Sequence, residues 1–510
     1  MKLSKLFIAA IALVAAVACT KEEEKDTTPA ELRSFAFLAE DNAGVLEKDY
    51  EAVSIAPEMI VRIPDGGKGR KLVARLTMGE NDTATADGAE VVGGKVTVDG
   101  TYPIDIIVTN SKSGLSSAYV VKVGKILTLV PTLAATYEEP GAEMYKELDA
   151  AINPKTNQPY FFYTRKTIVD GKAASRRIAS MVKWNGTSFD AVGNLAFTGE
   201  KANPSGIGIT FDGNGTPTVV YQGGQASNLV SAMSLSGADW ALLGDAGSAP
   251  RAATTYYPNI VSFYDGNTLN VLTQDYAGTK TTKYKGLLST YNGASWSFKE
   301  LEGGPEIGGE GHGASAGLPW AFKSTTTDNG TYVANVYNEH YATVRKFKGG
   351  NIEIVADKFV PAGENMTLPG AFCCDSDKDG NVYVTLAKWN AGQMQLYKLN
   401  EETKSLEEVA QPIKVTISAS GGVSEEIAFG INKATGEMVL IATDANDVPQ
   451  LYLMSDTGKW SEPISFTEAV ASSNIHINFN ANGEGFISFI SKDLKLTLFT
   501  LGREEDVLPE

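Results

Sequence analysis

Asp375, Asp377 and Asp379 stand at every second position of the segment FCCDSDKDGNVYV and run into Gly380, with Cys373 and Cys374 directly before them. Carboxylates so spaced open a calcium loop, and paired thiols could carry redox or metal chemistry. An EF-hand loop, however, needs a bidentate carboxylate where this chain has Leu386, and helices on both sides. Two readings stay open: a plain turn, or a helix-free loop holding structural calcium through Asp375, Asp377 and Asp379. Adjacent cysteines on a strand point to opposite faces, and a disulfide between neighbours needs a strained peptide, so two packed thiols are expected. There is no Cys-x-x-Cys pair, no Gly-x-Ser-x-Gly elbow, and GGEGHG lacks the Lys-Ser/Thr ending of a phosphate loop. The three histidines, His312, His340 and His476, are far apart, which disfavours a His-based zinc centre. Acids are abundant, yet nothing singles out a pair for glycoside hydrolysis, and no cofactor beyond structural calcium is expected.

The same turn-and-strand phrase recurs along the chain as NPKTNQPYFFY, FDGNGTPTVVY, YDGNTLNVLT, TTDNGTYVANV, SDKDGNVYVTL, NKATGEMVLIA and NANGEGFISFI. Its glycines Gly215, Gly266, Gly330, Gly380, Gly436 and Gly483 recur about every 50 residues, the period of a four-stranded propeller blade. After each comes a hairpin phrase such as VKWNGTSF, MSLSGADW, STYNGASW or YLMSDTGKWSEP, with Asn-Gly or a like pair at the tight turn. Trp240, Trp296, Trp460 and Phe189 hold one repeated place after that turn and are read as blade packing. Each unit is therefore strand a, a turn, strand b, a variable loop, strand c, a hairpin and strand d. The seventh unit lacks strand d, which LTLVPTLAATYEE, from about 127 to 138, is expected to supply, closing the ring and removing an exposed edge. The expected fold is all-β: a small antiparallel β-sandwich over 31–125, then a seven-bladed β-propeller over 126–503, with a tail at 504–510. His476 falls in the last strand a, near the channel, and is read as a packed or water-linked residue.

At the start, Lys2 and Lys5 precede an apolar run too short for a stable membrane span, as in a secretory signal covering 1–18. AAVAC, ending at Cys19, resembles the lipobox of bacterial lipoproteins, and the resemblance implies lipidation of Cys19, with several acyl chains each adding about 0.8 kcal/mol per buried methylene. The acidic tether over 19–30, TKEEEKDTTPAE, cannot bury enough apolar surface to fold. It resembles the export signal of Bacteroidetes surface lipoproteins, which implies an outer-membrane protein facing the cell exterior; a linker on a periplasm-facing lipoprotein is the alternative. The alternating runs over 31–125 look like the immunoglobulin-like or cadherin-like spacer modules of such proteins. The repeats resemble those of seven-bladed propellers from gut Bacteroidetes, FDGNGTPTVVY with SLSGADW being the nearest copy. SDTGKW is only a loose echo of the sialidase hairpin box.

The formal charge of -17 excludes nucleic acid and opposes polyanions unless a basic patch exists, and the one basic cluster is Arg165, Lys166, Lys172, Arg176 and Arg177. In a propeller the d-to-a and b-to-c loops gather at one mouth. Here they carry Arg251, Tyr256, Tyr257, Trp320, Asn338, Glu339, His340, Tyr341 and Trp389, residues suited to stacking on and gripping a sugar. The expected function is non-catalytic binding of a glycan or glycoprotein through this face. A glycoside hydrolase or polysaccharide lyase, and a structural component of a surface complex with protein partners, are the competing expectations.

Overall fold

The computed structural model describes residues 26–64, 66–193, 206–222, 230–244, 260–275, 285–301, 321–336, 342–361, 372–388, 392–415, 427–444, 446–455, 458–466, 471–504 and 508. They fall into two compact units, 1–128 with 503–510, and 129–502. No helix occurs among the described residues.

The first unit is two sheets on one core. One sheet orders Tyr50–Glu51, Leu32–Phe37, Lys71–Met78 and Lys95–Asp99; the other orders Glu58–Ile63, Ser116–Lys125, Ile104–Asn110, Asp82–Ala86 and Ala89–Glu90. Period-2 alternation sends Leu72, Ala74 and Leu76 inward from one sheet and Ile104, Ile106 and Val108 from the other. One pairing departs from the antiparallel expectation: Glu58–Ile63 runs parallel to Ser116–Lys125.

The second unit is the seven-bladed propeller. Seven sheets follow one another, each with four strands in chain order, except that the fifth adds the short strand Ile413–Lys414 beside its strand c and the last takes its outer strand from Leu129–Tyr137, far upstream. That segment pairs with Leu496–Arg503, so the closing strand lies where the sequence places it. The seven inner strands, a, are Ala142–Ile152, Ile207–Phe211, Val261–Asp265, Ala321–Thr327, Phe372–Ser376, Ile427–Ile431 and Ala471–Phe479. Each meets the next, and the last meets the first, so the ring is closed.

The apolar cores show the same closure. A separate buried cluster fills each junction between neighbouring blades, from first–second through to seventh–first. A blade packs on both faces, so consecutive residues of a strand b are buried whether apolar or polar, as Val384 and Thr385 of the fifth blade are. The repeated aromatic after the hairpin turn packs back onto the preceding blade. Trp296 of the third blade donates its indole N–H to the Leu243 carbonyl of the second at 2.8 Å, and Phe189 of the first stacks near Tyr137 on the closing strand of the seventh. Trp240 and Trp460 join the first–second and fifth–sixth cores in the same way.

Candidate functional site

The antiparallel meander puts the a-to-b turns and c-to-d hairpins at one end of the ring, and the b-to-c and d-to-a connections at the other. At the turn end the connections are short and their polar groups are matched. Asp377 closes the fifth a-to-b turn by accepting backbone N–H bonds from Asp379 and Asn381, each at 2.9 Å, plus the Asn381 amide at 2.7 Å. Asp212 does the same in the second blade with Asn214 and Thr216. Asn153, Asn432 and Asn480 hold this place in the first, sixth and seventh blades, are almost wholly buried, and reach across to the next turn. Asn153 Nδ2 donates to the Gly215 carbonyl at 2.8 Å, Asn432 to Gly483 at 3.1 Å and Asn480 to Asn157 at 3.3 Å. The repeated glycine holds a positive φ, +82° at Gly215 and +81° at Gly380 and Gly436, and at Gly215 a Cβ would also lie 2.8 Å from Asn153 Oδ1. In the first blade Asn157 takes the glycine's place at φ 58°, a conformation Asn tolerates.

The three aspartates are thereby separated in role. Asp377 belongs to its own turn; Asp379 is exposed and pairs with Lys378 at 2.7 Å; Asp375 faces the channel. Among the described residues no three His, Cys, Asp or Glu side chains are grouped to hold a metal ion. Burial opposes ionisation of Asp377, but the Asn381 and Asp379 hydrogen bonds outweigh it and hold the carboxyl below its ordinary range. Asp375 shifts the other way: burial raises it, against the pull of Lys433 and of the Ile431 and Ser376 N–H groups. Cys373 and Cys374 are free thiols; burial raises both, which keeps them protonated and poor nucleophiles.

The channel wall contains a cavity of about 240 Å³ lined by residues that include Ser324, Cys374, Asp375, Lys433 and Asn478. Its ionisable groups link one blade to the next. Asp375 Oδ2 accepts the Ile431 N–H at 2.8 Å, and Asp149 Oδ2 accepts the Ile209 N–H at 2.8 Å. His476 Nε2 lies 2.9 Å from the Leu148 carbonyl, with Nδ1 3.8 Å from Asp149 Oδ1, so it sits where the seventh blade meets the first. Burial lowers its pKa, Asp149 opposing this and Lys323 adding to it, which favours neutral imidazole.

At the mouth end five d-to-a connections are long, 192–206, 243–260, 301–320, 360–371 and 415–426, while the b-to-c connections 170–171, 444–448 and 492–495 are short. The expected ligand residues Arg251, Tyr256, Tyr257, Trp320, Asn338, His340 and Trp389, and the expected lipidation site Cys19, lie outside the described residues. What is described is an arc over the sixth, seventh and first blades. Lys492 pairs with Asp447 at 3.0 Å and Lys495 with Glu138 at 3.2 Å. Beneath them Glu139 accepts the Tyr137 hydroxyl at 3.0 Å and a short bond from the Tyr163 hydroxyl, and lies 3.6 Å from Arg165. Arg165 also donates to Ser180 at 2.7 Å. Burial, then the Glu139 charge, raises both phenols, so this cluster fixes the connection from the closing strand into the first blade. Sequence reading missed it because Glu139 and Arg165 meet only when the ring closes; the one signal was a Tyr and a Glu at the end of the closing segment.

No protein-family model and no curated protein matches the chain. Solved structures share its course at low identity. An oligogalacturonate lyase in complex with manganese aligns over 75% of this chain and 98% of its own, at 13% identity and a TM-score of 0.45. A putative 6-phosphogluconolactonase from Bacteroides uniformis covers 65% and 92%, at 12% and 0.42. The Aleuria aurantia lectin in complex with a fucosylated GlcNAc covers 60% and 96%, at 12% and 0.38.

Proposed function

We propose that this is a lipid-anchored outer-membrane protein, facing the cell exterior, whose immunoglobulin-like or cadherin-like first unit is a spacer for a propeller that binds a glycan or glycoprotein at its mouth without catalysis. The observation that carries this reading is the asymmetry of the ring. The channel acids Asp149 and Asp375 are engaged by backbone N–H groups of the next blade, which leaves them ill suited to acid–base work. The long connections, with aromatic and polar residues in their sequence, join strands at the b-to-c end. Cys19 anchors the chain, and protein partners at the surface are compatible with the same face.

A glycan array probed with the mature protein, and with Trp320→Ala and Trp389→Ala variants, tests this. Binding that both substitutions weaken at least tenfold is expected. Shortened products from a bound polysaccharide would instead make the protein a carbohydrate-active enzyme, and absence of any binding would leave the role of a structural component.

A further inference from the structure

The first blade differs from the others at the mouth. Its strands b and c, Pro159–Val169 and Lys172–Trp184, extend beyond the blade as a long hairpin with a tight turn at Asp170 and Gly171. Strand a follows it, pairing Ala142 with Thr167, Glu143 with Lys166 and Met144 with Arg165. The result is a three-stranded tongue at the b-to-c end. The Ile168 N–H donates to the Gly141 carbonyl at 2.9 Å and ties the tongue to the blade.

This tongue holds the basic cluster of a chain whose formal charge is -17. Arg165 turns inward to Glu139 and Ser180, and so is not available to a ligand. Lys166 lies over the Tyr145 ring, 4.7 Å from its centroid, and Lys172 is exposed beside the tip. Arg177 is registered directly opposite Lys166, and Arg176 precedes it on the same strand. The tongue also carries the acids Glu143, Glu147 and Asp170, of which Glu147 accepts the Thr164 hydroxyl, and among the described residues neither Lys166 nor Lys172 makes an ion pair. Tyr145 supplies a ring beside the charge.

We propose that the tongue is a contact for an anionic carbohydrate, one bearing carboxylate or sulfate groups, with Lys166 and Lys172 meeting the charges and Tyr145 the sugar face. The inference rests on the glycan-binding reading and names its ligand class. The mature chain, purified in detergent, is titrated calorimetrically with polygalacturonate, chondroitin sulfate and neutral dextran, and mixed with phosphatidylglycerol vesicles. Binding of either anionic polymer, weakened at least tenfold by the double change Lys166→Glu and Lys172→Glu and weakened again by high salt, is the expected result. Lys172→Gln alone gives a smaller loss and guards against misfolding, because that side chain is exposed. Dextran binding equal to anionic binding, or insensitivity to the charge reversals, overturns the proposal while glycan binding itself stands. Binding to the vesicles alone overturns it in favour of a lipid contact, and no binding to any polymer removes both readings.

Discussion

The two ends of the propeller solve opposite problems with the same kinds of residue. At the turn end, Asp, Asn and Gly saturate one another within and between blades: Asn153 reaches Gly215, and Asp377 closes its own loop. At the mouth end, the arc over the sixth, seventh and first blades carries surface ion pairs and a basic tongue, and the longest connections depart from strands at this end. The difference teaches that polar residues here become structural or ligand-facing according to which end of a strand they terminate. Polarity alone does not distinguish them.

The sharpest way to break this comparison is at the packing that locks the turn end. Trp296→Ala should cost about 3–5 kcal/mol by chemical denaturation, because it empties the second–third junction and orphans the Leu243 carbonyl. A loss below about 1 kcal/mol would mean that the indole does not clamp the blades. Next comes Asn153→Ala, expected to cost about 1–2 kcal/mol, since it removes the buried Asn153 side chain that holds the half-buried Gly215 carbonyl and two turn N–H groups. Asp377→Ala follows at about 1–2 kcal/mol, the scale of a lost cap. Its cost should appear above the unfolded carboxylate pKa and fade as pH falls through the depressed folded value, as a series of melts would record.

Two positions away the sign reverses. Burial raises the Asp375 carboxyl, so folding favours its protonated form; that contribution is present at acid pH and lost as pH rises through the folded value. Asp375→Asn removes the charge and, with its amide oxygen turned to the Ile431 N–H, gives up the Ser376 N–H and Thr325 hydroxyl bonds to Oδ1, a smaller loss than the cost of the buried charge. It should therefore raise the melting temperature at neutral pH, with the gain vanishing at acid pH; a loss at neutral pH would show that the ionised carboxylate stabilises the channel. The smallest effect is at the mouth, where Lys172→Glu should leave stability within about 0.5 kcal/mol while changing ligand binding.

The fold was legible because its signals are local and repeated. A turn phrase every blade, alternating strands and a missing last strand are all readable without knowing any contact, and Leu129–Tyr137 closes the ring where LTLVPTLAATYEE is placed. The hairpin aromatics were read correctly as packing for the same reason. One detail was not: in the WNGTS and YNGAS hairpins, Asn185 and Asn292 accept turn N–H bonds with their side chains, while Gly186 at φ 105° and Gly293 at 94° carry the left-handed conformation. The three channel-turn aspartates were harder, since Asp375, Asp377 and Asp379 look equivalent in sequence. Strand alternation and the next blade give each a different neighbour.

By itself, then, the sequence determined the blade count, the turn chemistry and the closing strand, because each depends on residues close together or on a period. Only the tertiary structure decided which charged groups share a neighbourhood. Asp149 meets His476, and Glu139 meets Tyr163 and Arg165, across distances along the chain that no local pattern encodes. A carboxylate's burial and partners, which set its ionisation, come from blades brought beside it when the ring closes.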